Sequence, residues 1–507
     1  MHFNPQIEQM IQDAGKFAAG GKWSQALAKL EQVRKADPGY VQNDSDIQMT
    51  AAVCLNAVGK HRPAEAAFLR TIELKPKFVH ARVELSLLYS RIGDENRAHE
   101  QLRRALEIEP ENSYALRQLA NWHMDQGDFE TADKILSPMI ALIRAGASSD
   151  PGPAYIFARL ALATGREQEA YDLLERFTTN SNLPPESRRI LFRRMGEFCD
   201  RLGKYDEAFK HFTTSQSIAA KPYDPDQHSA RVDKLIAAWT LEAAGAMARS
   251  AVDVTPRVAF VLGMPRSGTS LAERIIGAHP NACACGEQQG IGRVAAALEQ
   301  SPGQGRPLAL DPASINQEFM GRASQSYLSM IGAVQERLGD TGASVVTDKQ
   351  PYNFFHIPII ASMFPGARIV HTVREPADAC LSSYFQFFGG FHPHSHDLYN
   401  LGRFYRDYER LMAHWHTIAD DLGVSILDVN YSGIVGDLDT NAKAIIDHVG
   451  LEWDDACLRF DRVQKAARTA SNDQVRRPIY TSSLDRASNY ERHLSPLRAG
   501  LAGQPRP

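Results

Sequence analysis

Residues 258–279 read VAFVLGMPRSGTSLAERIIGAH, an apolar strand that runs into a loop bracketed by Gly263 and Gly268 and then into an amphipathic helix. This is the layout of a phosphate cradle. The Gly263-x4-Gly268 spacing is that of a phosphate-binding loop, but where a nucleotide triphosphatase places lysine after the second glycine this chain has Thr269 and Ser270. The lysine that would meet a γ-phosphate is missing. Arg266 instead sets a positive charge inside the loop, where the backbone N–H groups of Ser267, Gly268 and Thr269 can join it around an oxyanion at a helix N-terminus. The loop therefore suits an anionic donor other than ATP.

Downstream, short apolar runs alternate with helical patterns: VAFVL (258–262), SVVTD (344–348), ARIVHTV (367–373) and VSILDV (424–429). Buried strands separated by helices predict a parallel sheet covered on both faces. Ligands of such sheets bind beyond the carboxyl ends of the strands, so the residues after each run are the candidates for chemistry.

The stretch Gly263-Met264-Pro265-Arg266-Ser267-Gly268-Thr269-Ser270 resembles the 5′-phosphosulfate loop of sulfotransferases that use 3′-phosphoadenosine 5′-phosphosulfate (PAPS). The likeness is to the tyrosylprotein branch and to bacterial proteins that join such a domain to tetratricopeptide repeats, and it covers roughly residues 255–497. Arg266 and Ser267–Ser270 are then expected at the donor. Glu287, in a Cys-Gly-Glu setting similar to that of the tyrosylprotein enzymes, becomes the candidate general base for the acceptor hydroxyl. Lys349, in Asp348-Lys349-Gln350-Pro351-Tyr352, is assigned to the oxygen of the leaving group, where an ammonium stabilises developing charge.

The same resemblance gives Arg374 and Ser382, eight residues apart, to the 3′-phosphate, with Ser383 as the register alternative. Tyr431 is a further 3′-phosphate candidate, although Ser432 stands where the family has an acidic residue. Ser471 and Arg477, in an extended polar segment, match phosphate-contacting positions of a late loop that closes over the nucleotide. The implied product is adenosine 3′,5′-bisphosphate, and no metal is expected in the reaction. An atypical phosphate-loop kinase is the alternative enzyme, opposed by the missing loop lysine and by the lack of a magnesium-anchoring carboxylate beyond Asp348. A scaffold whose C-terminal domain binds nucleotide without catalysis is the alternative outside enzymes.

The N-terminal half repeats. Glycine followed five residues later by alanine recurs at Gly21/Ala26, Gly59/Ala64, Gly93/Ala98, Gly127/Ala132, Gly165/Ala170 and Gly203/Ala208, in steps of 38, 34, 34, 38 and 38 residues. A period near 34 with two small residues belongs to tetratricopeptide helix pairs, the glycine ending one helix and the alanine admitting close approach by the next. In residues 81–110, Leu85, Leu88 and Ile92 are expected on one buried face, and Ala98, Leu102, Ala105 and Leu106 on the next. The expected architecture is an all-α solenoid of about six helix pairs over 1–225, a helical linker over 226–254, and an α/β phosphate-loop domain over 255–507. The concave face of such a solenoid commonly accepts a peptide or protein.

With 43% hydrophobic and 23% charged residues the composition is that of a globular protein, and a net charge of −4 offers no general attraction to nucleic acid or anionic lipid. Residues 1–17 lack the apolar run of a signal peptide, and the six cysteines are sparse, which together suit a cytoplasmic protein with reduced thiols. His392, His394 and His396 alternate in FHPHSHDL; a mobile loop on the acceptor side explains them as well as a metal site would.

Overall fold

The computed structural model describes residues 5–299, 311–386, 388, 392–462 and 484–507. The chain forms two compact units, residues 1–183 with 197–203, and residues 184–196 with 204–507.

The first unit is a series of antiparallel helix pairs: Pro5–Ala19 with Trp23–Ala36, Ser45–Ala57 with His61–Leu74, Val79–Arg91 with Glu95–Ile108, Ser113–Asp125 with Phe129–Arg144, and Gly152–Thr164 with Glu167–Glu175. Each turn is built on the same two devices. Gly21, Gly59, Gly93, Gly127 and Gly165 hold left-handed φ angles between 70° and 83°, the conformation that ends a helix and that a side chain resists. Ala26, Ala64, Ala98, Ala132 and Ala170 are wholly buried, so the second helix of each pair lies against the first with nothing larger than a methyl group between them. Two of the second helices are then capped by an aspartate: Asp94 accepts from the Arg97 N–H at 3.1 Å and Asp128 from the Thr131 N–H at 3.1 Å.

Phe68, Leu85, Leu88 and Tyr89 pack with Ala64 and Ala98 in one of the inter-pair cores. Ile92 does not join them. The helix ends at Arg91, Ile92 is the cap residue, and its side chain is 41% exposed, so the face expected from helical periodicity stops one turn earlier. The first step of 38 residues has a structural cause as well: the short helix Pro38–Asn43, capped by Asp37, is inserted between the first two pairs.

The second unit is built on a five-stranded parallel sheet: β1 (Arg257–Gly263), β2 (Ala282–Ala284), β3 (Val345–Asp348), β4 (Arg368–Val373) and β5 (Ser425–Asn430), in the order β2-β3-β1-β4-β5. Four of these strands are the apolar runs of the sequence. The fifth, β2, is an Ala-Cys-Ala tripeptide too short for any periodicity, and it pairs with Val345–Thr347 of β3. With β1 between β3 and β4, the segments leaving all three strands converge on its carboxyl end, where an open α/β sheet binds its ligands.

One face of the sheet is covered by Leu271, Ile275 and Ile276 of the helix Thr269–Gly277 and by Ile445, Ile446 and Val449 of the helix Leu438–Val449. Helices Tyr205–Ala219 and Pro225–Ala238 also belong to this unit: Phe212 stacks on Phe385 with ring centroids 3.9 Å apart, and Ser229 donates to Asp407 at 2.6 Å. The change of sequence period near residue 225 thus falls inside the second compact unit. Among the described residues no helix is long and apolar enough to cross a membrane.

The alanine rule gives a direct test. Enlarging wholly buried Ala98 to leucine should destabilise the repeat unit by about 1–3 kcal/mol through overpacking. Gly93→Ala, which forces a methyl group onto a left-handed residue in open space, should cost only about 1–2 kcal/mol. Urea denaturation followed by circular dichroism measures both.

Candidate active site

The loop after β1 is shaped by two glycines and one strained arginine. At Gly263 (φ 142°) a Cβ would sit 2.4 Å from the Thr372 carbonyl oxygen, and at Gly268 (φ 109°) it would sit 2.8 Å from the Tyr431 ring, so both positions require the bare backbone. Arg266 between them holds φ 71°, a left-handed conformation rare for a side chain of its size. Its guanidinium Nε donates to Ser382 Oγ at 3.0 Å, and its carbonyl accepts from Arg374 at 3.2 Å. The buried Ser267 hydroxyl pairs with Thr372 Oγ1 of β4 at 2.7 Å. Ser383 donates to the Pro265 carbonyl at 3.1 Å. The loop is therefore tied down on its β4 side, and Thr269 and Ser270 open the helix at its end.

β3 delivers the second group. Lys349 follows its last residue and is 1% exposed, yet its ammonium meets Glu287 Oε1 at 2.5 Å, while the Glu287 side chain remains 44% exposed. The Lys349 N–H also donates to the Gly286 carbonyl at 3.0 Å, so the segment after β2 is hydrogen-bonded along the end of β3. The structure thus brings Glu287 and Lys349 together as an ion pair with one side open to solvent.

Two buried carboxylates hold that arrangement. Glu273, on the helix after the loop, accepts from the Gly286 N–H at 2.9 Å and from the Thr347 hydroxyl at 2.8 Å. Burial raises its pKa, and the charge on Lys349 opposes the rise. Asp348 accepts from the Tyr327 hydroxyl at 2.7 Å, from Asn353 at 3.3 Å and from the Gln288 N–H at 3.4 Å. Burial pushes its carboxyl up to about 7 in spite of these donors. Both groups therefore fix the turn that carries Glu287, one from each side of it.

Arg374, after β4, is almost buried: its guanidinium lies 3.6 Å from Asp378 and 4.9 Å from the centre of the Tyr431 ring. Asp378 in turn accepts from the Asp485 and Ala487 N–H groups at 2.9 and 2.8 Å, which anchors the C-terminal segment to the helix Pro376–Tyr384 that carries Ser382. Ser471 and Arg477 lie outside the described residues. Of the three alternating histidines, His392 and His394 both meet the Tyr352 hydroxyl, at 2.9 and 3.1 Å, whereas His396 meets Gln216 at 2.6 Å. They do not converge on one point.

Sequence reasoning passed over Glu273, Tyr327, Thr372 and Asp378, and considered Asp348 only as a magnesium anchor. All five act through other residues, and the charged members lie within apolar or helical patterns. Asp348 is completely buried and spoken for by three donors, which removes it as a metal anchor at the loop.

Residues 256–455 match the model of the sulfotransferase family, and residues 79–112 match a tetratricopeptide repeat model. An uncharacterized protein of Aquifex aeolicus is 25% identical over 92% of this chain and 61% of its own length. Protein-tyrosine sulfotransferase 1 of Danio rerio is 25% identical over 45% of this chain and 64% of its own length. The mouse protein of that name is 30% identical over 23% of this chain and 30% of its own. The chain thus spans less than two thirds of the first of these curated relatives. A solved tetratricopeptide repeat protein from Parabacteroides merdae is similar at 15% identity and a TM-score of 0.31, over 42% of this chain and 94% of that one. The protein is a tetratricopeptide repeat protein with a C-terminal domain of the sulfotransferase family, and that domain resembles the protein-tyrosine sulfotransferases.

The raised pKa of Asp348 has a stability consequence. Folding favours its protonated form, so this contribution is complete below the ordinary value of 3.8 and is lost as pH rises through about 7. Asp348→Asn, which cannot ionise, should make unfolding free energy fall less steeply than in the wild type between pH 5 and 8. Urea denaturation at both pH values measures the difference, and equal slopes would contradict the raised pKa.

Proposed function

We propose that the C-terminal unit is a PAPS-dependent sulfotransferase that moves a sulfuryl group to a hydroxyl, with a tyrosine-like phenol as the favoured acceptor. The observation that carries the reading is the Glu287–Lys349 pair, held at the end of β3 in the sheet whose central strand leads into a phosphate loop with arginine in place of lysine. PAPS supplies the sulfuryl group when bound, and adenosine 3′,5′-bisphosphate is the product.

The residues present fit that donor. The Ser267–Ser270 backbone and Arg266 offer hydrogen-bond donors and one positive charge at a helix N-terminus, which suits the 5′-phosphosulfate. Arg374 and Ser382 offer a guanidinium fork and a partly exposed hydroxyl for the 3′-phosphate, with the Tyr431 ring beside them. Ser471 and Arg477 remain part of the proposed donor site on the strength of the resemblance.

Glu287 takes the proton from the acceptor hydroxyl as its oxygen attacks in line. Lys349 donates to the bridging oxygen on which charge develops, an interaction worth most in the transition state. In this structure the two pair with each other.

A kinase reading loses ground because Asp348 is committed to Tyr327, Asn353 and Gln288. The repeats support a protein or peptide partner, which agrees with an acceptor phenol carried on a polypeptide. Six buried cysteines, none of them in a disulfide, support a reducing compartment, the cytoplasm.

Isothermal titration with adenosine 3′,5′-bisphosphate against ADP tests the donor pocket. Selective binding of the bisphosphate, weakened at least about tenfold in Arg374→Lys, is expected for loss of a bidentate phosphate contact. Preference for ADP would sink the reading. Glu287→Gln should lower turnover of a phenolic acceptor by about 10²–10⁴-fold while bisphosphate affinity stays within about threefold. Equal activity in that variant would remove Glu287 as the base, and unchanged biological output without turnover would favour the scaffold.

A further inference from the structure

The proposed donor site uses the face of β4 that carries Thr372. The neighbouring residue, His371, points to the opposite face, because successive strand side chains alternate. There His371 Nδ1 lies 2.7 Å from Oδ1 of Asp428, its cross-strand partner on β5. His416 Nε2, from the helix Leu398–Thr417, reaches the same oxygen at 3.1 Å. The two imidazole nitrogens and the carboxylate oxygen all lie within 4.8 Å of one another.

We propose that His371, His416 and Asp428 form a binding site for a divalent transition-metal ion, with zinc as the ion it suits best. Two imidazoles and one carboxylate are the nitrogen and oxygen donors that zinc and its neighbours take, whereas calcium and magnesium prefer all-oxygen cages. Three protein ligands leave a fourth position for water.

The geometry is that of a prepared site. His371 and Asp428 are brought opposite each other by the β4–β5 register, and His416 is delivered by a third element. The His371 side chain is 5% exposed, and its second nitrogen, Nε2, meets the Tyr408 hydroxyl at 2.5 Å, which fixes the ring as the outer partners of metal-ligating histidines do. His416 and Asp428 are 37% and 50% exposed, which provides a path for the ion and room for its water.

Without an ion, both imidazoles compete for one carboxylate oxygen. An ion among the three replaces the hydrogens on His371 Nδ1 and His416 Nε2, which leave to the other ring nitrogen or to solvent. His371 then keeps its hydrogen on Nε2, facing the Tyr408 oxygen. The histidines of the His392–His396 segment offer no comparable set, since two of them share the Tyr352 hydroxyl and the third meets Gln216.

The test is calorimetric titration of the full-length protein with zinc sulfate, after stripping with chelator and dialysis. A parallel cobalt(II) titration reads the visible absorption of a four- or five-coordinate ion. One ion per chain is expected, with affinity lowered at least about a hundredfold in His416→Ala and in Asp428→Asn, and about tenfold or more in Tyr408→Phe. Circular dichroism of His416→Ala should match the wild type, because that side chain is partly exposed. Binding of adenosine 3′,5′-bisphosphate by the same variant serves as an independent readout of the donor pocket. Absence of zinc binding to the wild type overturns the proposal. So does binding that survives His416→Ala and Asp428→Asn but is lost in a His392→Ala, His394→Ala variant.

Discussion

A lysine ammonium almost removed from water costs several kcal/mol unless opposite charge and hydrogen bonds replace its hydration. Lys349 is in that position, and much of the second unit's site is arranged around the compensation. Glu287 makes the direct ion pair, and Glu273 contributes its field from the helix after the phosphate loop. Asp348, the preceding residue, holds the segment down through Tyr327 and Asn353. Each carboxylate comes from a different element, so the lysine can be buried only once β1, β2 and β3 and the first helix are assembled. The chemistry and the fold are therefore conditions of each other at this point: the same charge that would act on a leaving oxygen holds the β2–β3 edge of the site together.

The opposite edge is held differently, by neutral hydrogen bonds and close backbone contact. Gly263 lets the loop approach the β4 carbonyl, Ser267 pairs with Thr372, and Ser383 reaches Pro265. Arg266 is forced into a left-handed conformation that costs on the order of 1–3 kcal/mol and persists only where its surroundings fix it. Ser382 on its side chain and Arg374 on its carbonyl supply that fixation. The groups proposed to grip two ends of one donor are thus already hydrogen-bonded to one another, which spares part of the ordering cost when an anion arrives.

Most of the fold was legible because it rests on strong local signals. The six Gly/Ala pairs mark the helix turns through two requirements, a left-handed residue and a crossing too close for any side chain but a methyl group, and both requirements name their residue type. β1, β3 and β4 showed as apolar runs because the sheet buries both of their faces, whereas β5 is an edge strand in which Val429 alone is buried. β2 was illegible, since three residues with no turn signal of their own become a strand only by pairing with Val345–Thr347. Ile92 was misread for a related reason: helical period says where a face points and not where the helix stops. In the candidate site, Arg266 was named from the spacing of the loop itself, and Glu287, Lys349 and Arg374 from the family resemblance at positions that follow apolar runs. Glu273 was not, because a glutamate in the pattern SLAERII reads as the solvent face of a helix until tertiary packing turns it inward.

That burial of Glu273 also bears on how the two halves of the site act together. The helix Thr269–Gly277 presents its N-terminus to the loop and, one turn later, Glu273 to the Gly286 N–H beside Glu287. An anion held at the helix N-terminus and the carboxylate proposed as base are therefore referred to the same rigid body, with no flexible loop between them. A displacement of the helix would move the donor subsite and the base turn together, preserving their separation. In-line displacement depends on that separation, because reactivity falls steeply when reacting atoms are misplaced by even about 1 Å. The buried glutamate is thus best understood as the element that converts two loops, each shaped by its own glycines, into one site of fixed dimensions.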